Sequence, residues 1–410
     1  MAAMWDKCLL LISCFAIHLR SGFVDGQEFH SSIDPDAYLS TPQIIRRHGY
    51  EAESHIIQTD DGYLLTLHRI PTNRLGIRGK QPIFIQHGLL SSSTDWVDSG
   101  NNSLAFILAN DGYDVWLGNV RGNTYSKGHV TLSPKDAKFW NFSWHDMALH
   151  DLPAMINHIS NITNRPGEIL YIGHSMGTTM FYALASERPQ IAQSIRAMVA
   201  LAPVVYMTHI KSPIRYLAPW INDIQFLVKH LGMNQFLPSS KILKFLSYDC
   251  EKKLKKEICE DVFFILCGFD KQQFNDTLLP VILSHVPAGT STKTVIHYLQ
   301  EIANEGKFQK FDYGKNGNMK EYGQSYPPLY KLNNVDVPMF LMYAENDWLA
   351  SPIDVKRLAE NLTNTNYEMY KIPLDTFNHV DFLWGIDAPR LVYGPMMDYL
   401  RTYPLYYVAE

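Results

Sequence analysis

Between residues 168 and 186 the chain passes from an apolar, strand-like run (Glu168–Ile172) through Gly173-His174-Ser175-Met176-Gly177 into a helix-like run (Thr178–Ser186). A strand that turns into a helix over so few residues leaves no room for side chains beside the turn. Gly173 and Gly177 meet that demand, and glycine also tolerates strained backbone angles. The serine between them is pushed outward at the carboxyl end of the strand. Gly-x-Ser-x-Gly alone recurs often by chance. The strand before it and the helix after it give it weight.

The surrounding pattern is consistent with that turn. Ser54–Gln58 and Tyr63–Ile70 are β-rich runs joined through Asp61-Gly62, a hairpin signal. Ile83–Gln86, Tyr113–Leu117 and Ala197–Leu201 are short runs that are mostly apolar rather than alternating. Helix-like stretches separate them, at Leu104–Ala109 and from Trp144 to about Ile159, where Ser143 is the expected cap and Pro153 the expected kink. An earlier short helix is expected at Thr41–His48, capped by Thr41. Apolar strands alternating with helices predict an α/β fold, a mostly parallel sheet with helices on both faces. The alternation stops at Pro203 and resumes near Val337, with a strand to Tyr343, a helix at Ile353–Asn361, a strand at Tyr367–Ile372 and a closing helix at Ala388–Leu400. The expected organisation is a core of residues 27–205 and 331–410, interrupted by a mainly helical cap or lid at 206–330.

A serine hydroxyl is a weak nucleophile at neutral pH and needs a base, which in turn needs an orienting group. Asp347 follows the strand ending at Tyr343, and His379 follows the strand ending at Ile372. Catalytic groups gather at the carboxyl ends of parallel strands, so both loops are expected to face Ser175. The order Ser, acid, His is that of an α/β-hydrolase. Glu345 is the rival acid. Asp375 reads as a turn residue, Asp381 as a supporting or surface carboxylate, and His174 as structural, pointing away from Ser175. His145, His150 and His158 read as helix-face residues, and His285 has no strand end to place it. The charge of a tetrahedral intermediate needs two donors. Those expected are the backbone N–H groups of Met176 and of Leu89, in the loop His87-Gly88-Leu89.

Other features bound the setting. The chain has 410 residues, 46% of them hydrophobic and 19% charged, enough for a large core. Its formal charge of -5 comes from interleaved acids and bases, which gives nucleic acid no basic stripe to bind. Lys7, the apolar run Cys8–Leu19 and Arg20 read as a signal peptide, residues 1–26, with cleavage after Gly26 or, alternatively, Gly22. A short membrane anchor is the rival reading there, and no other run is apolar and long enough to span a bilayer. Asn101, Asn141, Asn161, Asn275 and Asn361 begin Asn-x-Ser/Thr sequons. Removal of Cys8 and Cys14 leaves three cysteines, hence one bridge and one spare thiol. Cys250 and Cys259 flank a charged stretch suited to a bridge, and Cys267 lies in an apolar run and reads as buried. A zinc site there lacks a CxxC or a nearby His pair. No metal or cofactor is expected.

With Gln86-His87-Gly88-Leu89-Leu90, Gly112–Asn119, Arg121–Thr124, Asp151-Leu152-Pro153, Ser284–Thr290, Asn378-His379 and the Cys250, Cys259, Cys267–Asp270 spacing in place, the chain resembles the animal acid lipase family, the gastric and lysosomal acid lipases and insect lipase 3-like members. The resemblance runs from about Pro35 to Tyr403. It implies an α/β-hydrolase fold, the roles already given to Ser175, Asp347, His379, Leu89 and Met176, a Cys250–Cys259 disulfide and a free Cys267. It also implies a secreted or lysosomal enzyme that hydrolyses neutral lipid esters at a lipid–water interface. Many relatives carry Gln where this chain has Met176, and a frequent Ser is Val120 here. The alternatives are an esterase for small soluble esters and a catalytically silent lipid-binding homologue. In the cap, apolar positions recur at 214, 217, 220, 221, 224, 227, 228 and 231, a helical stripe broken by Pro219. Such a stripe either packs the cap on the core or meets lipid as a lid.

Overall fold

The apolar runs form the middle of a nine-stranded sheet. The computed structural model describes residues 34–237 and 266–403. In chain order the strands are β1 (Glu53–Gln58), β2 (Tyr63–Ile70), β3 (Gln81–Gln86), β4 (Tyr113–Leu117), the short β5 (Gly128–His129), β6 (Ile169–His174), β7 (Ile195–Leu201), β8 (Gln235–Phe236), β9 (Thr290–Ser291), β10 (Met339–Tyr343) and β11 (Tyr367–Lys371). The main sheet runs β1-β2-β4-β3-β6-β7-β10-β11, with β5 paired to β2. β2 runs antiparallel to its neighbours β1 and β4, and from β4 to β11 every pairing is parallel. β3, β4, β6 and β10 are buried at every position, as strands covered on both faces must be. β11 is the far edge, and its exposed Glu368 and Lys371 discourage further pairing.

Helices cover the sheet where the periodicity places them, with instructive differences at their ends. Helix Thr41–Arg47 is capped by Ser40 rather than Thr41, through a reciprocal box with Gln43. The expected helix from Trp144 is three pieces: Trp144–Asp146, a π turn at Met147–Asp151, and Leu152–Thr163. Pro153 sits in the first turn of the last piece, where its missing N–H is harmless. The wide turn before it absorbs the disruption that a proline inside one continuous helix brings. Ser143 caps the first piece, as expected, with Asp146 completing the box.

Between β7 and β10 the chain leaves the sheet. The described part of that insertion holds the helices Ile221–Leu231, Leu279–His285, Thr292–Ala303 and Gly314–Tyr322, plus the small β8–β9 pair. The apolar stripe there is only partly covered. Ile214, Ile221, Ile224 and Val228 are half-buried, whereas Leu217, Trp220 and Leu231 are exposed. No helix among the described residues is long and apolar enough to cross a membrane.

Candidate active site

β6 delivers Ser175 into a conformation that serine rarely adopts, φ 52° and ψ -117°, at the start of helix Met176–Glu187. Both flanking glycines are sterically required. A Cβ on Gly173 would lie 2.9 Å from the Gly177 carbonyl carbon, and one on Gly177 would overlap the Gln86 carbonyl oxygen. The turn is fastened by backbone bonds from Ser175 N to Leu201 O (3.1 Å) and from Thr178 N to Ser175 O (2.9 Å). Met176 opens the helix, so its N–H belongs to the first turn, whose donors have no intrahelical acceptor.

The loop after β3 lies against this turn. A Cβ on Gly88 would come within 3.1 Å of Ser175 Cβ, so only glycine lets the strand end approach so closely. Leu89 follows directly, and Leu90 has a left-handed φ of 61°. His87 is buried and neutral: burial pushes its pKa down to about 4. Its Nδ1 faces Gly88 O at 2.8 Å, and its Nε2 accepts from Val120 N (3.3 Å) and Asn123 Nδ2 (3.2 Å). His87 therefore holds the loop. Asn119 extends the support, accepting from Ser93 N and Asn123 Nδ2, both at 2.9 Å. Arg121, almost completely buried, pairs with Asp151 and Asp61 and lies over the Tyr63 ring at 3.9 Å. This accounts for the separate Arg121 and Asp151 motifs of the sequence: they form one ion pair.

The loop after β10 carries Asp347, which has no solvent exposure. Its Oδ1 accepts from Leu349 N (2.8 Å) and Ala350 N (2.7 Å), and its Oδ2 meets His379 Nδ1 at 2.8 Å. The rival acids lie elsewhere. Glu345 and Asp375 are exposed and share Lys371. Asp381 is buried, accepts from Asn378 N at 2.7 Å, and has its pKa raised by burial. Of the other histidines, His145 bonds Tyr330, His150 pairs with Asp60, His158 meets His55, and His285 bonds Asp36 O. His174 does not merely point away. Its Nε2 lies 3.0 Å from the His379 carbonyl oxygen.

The whole-chain pattern agrees with known proteins. A family model described as the partial alpha/beta-hydrolase lipase region matches residues 41–100, and one described as the alpha/beta hydrolase fold matches residues 81–385. Lipase lipl-1 of Caenorhabditis elegans is 40% identical over 91% of this chain and 94% of its own length. Lysosomal acid lipase/cholesteryl ester hydrolase of Homo sapiens is 39% identical over 91% of this chain and 93% of its own. The chain belongs to the acid lipase family of α/β-hydrolases. It is an ester hydrolase by that membership. A solved structure of DcsB in complex with its substrate analogue shares the fold, with 15% identity, a TM-score of 0.51, and coverage of 86% of this chain and 100% of that one.

Parts of this lipase's site were not foreseen from its sequence. Asn346 Nδ2 bonds Phe269 O (2.9 Å) and Thr376 O (2.8 Å), and Asn378 Nδ2 bonds Gly268 O (3.0 Å). Gly268, at φ 116°, lies so close to Asn346 that a Cβ would overlap its carbonyl oxygen. The segment Cys267–Asp270 thus fastens the acid loop to the histidine loop. Cys267 is free and buried, and burial, then the charges of Asp347 and Asp381, push its thiol pKa up and keep it protonated. Cys250 and Cys259 lie outside the described residues.

Asp95 and Asp98, in the loop beyond Leu90, are also buried. Burial raises both pKa values, and the charge of Asp98 adds to the effect on Asp95. Asp98 is pushed up to about 7. Its Oδ1 accepts from Trp384 Nε1 at 3.0 Å, which ties this loop to the helix after His379. Nothing in Asp-Trp-Val-Asp distinguishes this pair from an ordinary surface turn. Asp60, Asp61 and His150 could each offer one metal ligand within 4.8 Å of the others. Arg121 already binds both oxygens of Asp61, however, and His150 is bonded to Asp60.

Proposed function

We propose that Ser175, His379 and Asp347 are the nucleophile, the base and the orienting acid of a serine lipase, with the N–H groups of Leu89 and Met176 as oxyanion donors. The hydrogen bond of 2.8 Å between His379 Nδ1 and buried Asp347 carries this reading. With Nδ1 so occupied, Nε2 is the ring atom that takes the Ser175 proton. Ser175 Oγ bonds to the acyl carbon, the alcohol departs with the proton from His379, and water then releases the acid and restores the serine.

The substrate class proposed is the neutral lipid ester, triglyceride or cholesteryl ester, met at a lipid–water interface. The exposed Leu217, Trp220, Phe226 and Leu231 of the segment after β7 support it, because an apolar surface in that place suits lipid. In this reading residues 206–330 are the cap over a core of 27–205 and 331–410. Residues 1–26 direct the chain into the secretory pathway, toward secretion or the lysosome. Asn101, Asn141, Asn161 and Asn361 are exposed, as glycan acceptors must be, and Asn275 is half-exposed.

The test pairs labelling by an active-site phosphonate with hydrolysis rates on emulsified triglyceride, cholesteryl ester and a short soluble ester. Labelling lost in Ser175→Ala, with emulsified lipid the better substrate, is the expected result. Faster turnover of the soluble ester would make the protein a carboxylesterase. Failure to label the native enzyme would make it a silent homologue.

A further inference from the structure

His174 is a buried titratable group that the reaction above does not use. Besides its own turn, its side chain meets two of the segments that form the site, the loops after β3 and β11. It is covalently next to Ser175. Its Nε2 lies 3.0 Å from the carbonyl oxygen of His379. Its Nδ1 faces the loop after β3, where a Cβ on Gly88 would come within 3.3 Å of it. The two imidazole rings are 4.9 Å apart between centroids, and the His174 ring also faces Phe382 at 6.5 Å.

The protonation state follows from these contacts. A carbonyl oxygen only accepts, so Nε2 carries the hydrogen and donates it. Nδ1 is then the bare atom of a neutral ring. It is buried and has no hydrogen-bond partner, so a proton there would have nothing to donate to. Burial, and then the neighbouring charge of His379, push the pKa of His174 down to about 3. The titratable groups acting on it are His379, from the loop after β11, and His87, from the loop after β3, itself held neutral by burial.

We infer that His174 is a positioning residue: its Nε2–H holds the backbone of His379 against the strand that bears Ser175, and its ring stays neutral while His379 becomes charged. This rests on the assignment of Ser175 and His379 above. The neutrality matters because an ordinary histidine, with a pKa of about 6.5, is protonated in acid. Two charged imidazoles at this separation would oppose proton transfer to His379, so an unshielded histidine at 174 would hinder the reaction wherever the medium is acidic.

The experiment compares His174→Gln, His174→Asn and Ser175→Ala in the full-length enzyme, with kcat and KM measured separately. The Gln amide reaches the place of Nε2 and cannot be protonated, whereas the shorter Asn amide stops near Nδ1. The expected result is that His174→Asn lowers kcat by about 10–100-fold, the scale of a small misplacement of a catalytic group. KM should stay within about twofold, and His174→Gln should restore most of kcat. Equal kcat losses in the Gln and Asn variants, no loss in either, or a change confined to KM would overturn the inference. Should His174→Asn fail to fold, native-like kcat in His174→Gln supports the donor role and a kcat as low as that of a misaligned base refutes it. Retained turnover in Ser175→Ala would instead remove the assignment on which the inference rests.

Discussion

Replacing Asp98 by Asn should flatten the pH dependence of stability. Asp95 and Asp98 lie three residues apart on one turn, both buried. Both oxygens of Asp95 and Oδ2 of Asp98 lack hydrogen-bond partners. Two carboxylates so placed resist simultaneous ionisation. The folded protein keeps the Asp98 proton to about pH 7, against a reference value of 3.8. Folded chains therefore bind more protons than unfolded ones between those values, and stability falls as pH rises through that window. Stability from this source is complete in acid and lost by about pH 8. At about 1.4 kcal/mol per pH unit, the loss from Asp98 is on the order of 4 kcal/mol. Asn has nearly the same shape, keeps an oxygen for Trp384 Nε1 and carries no charge. Thermal unfolding of the native enzyme and the variant should be followed from about pH 4.5 to pH 8. At roughly 1.2 °C per kcal/mol for a chain of this size, and with about 3 kcal/mol of the loss falling between those pH values, the native Tm should fall by about 4 °C more than that of the variant. Parallel Tm curves would mean that the pair carries no pH-dependent strain, and the reasoning fails.

Ser175→Ala should cut turnover by about 10⁴–10⁶-fold with the Tm preserved, read by steady-state kinetics beside thermal unfolding. Asp347→Asn should lower kcat by about 10⁴-fold, because the amide no longer accepts from His379 Nδ1–H and the wrong tautomer results. Gly177→Ala should yield little folded enzyme, since its methyl group would meet the Gln86 carbonyl, and recovery of native-like soluble protein would count against the steric account. Arg121→Met should destabilise by about 3–5 kcal/mol near neutral pH by leaving buried Asp151 uncompensated. That loss should shrink in acid, where Asp151 can take up a proton, and a pH series of denaturant midpoints would show it.

Much of the architecture was legible because its signals are local. β4 reads as a strand because Tyr113–Leu117 is buried on both faces, and the turn at Ser175 announces itself by two glycines that nothing larger can replace. Asp347 and His379 could be chosen because parallel strands bring their carboxyl ends to one edge. Glu345 could be set aside only in three dimensions, where it faces solvent and Lys371. What escaped depends on partners far away in the chain. Asn346 and Asn378 resemble turn residues until Phe269 and Gly268 are seen against them. Asp98 resembles a surface acid until Trp384 covers it. From sequence His174 reads as structural, and only the carbonyl of His379 gives its imidazole an object. The cap of the first helix falls on Ser40 and not on Thr41, since both are good caps and only Gln43 decides between them.

The strap at residues 284–290 is sewn to the core at separate points: His285 Nε2 to Asp36 O, Ala288 N to Leu90 O, and Thr124 Oγ1 to Ala288 O. One stitch grips the carbonyl of Leu90, the residue after Leu89. If Leu89 is an oxyanion donor as proposed, lifting that strap would slacken the anion cradle, and an enzyme that opened there would disarm itself with every greasy guest it admitted. If the cap opens to admit lipid, the half-covered helix Ile221–Leu231 is the stretch whose movement would leave those three bonds in place.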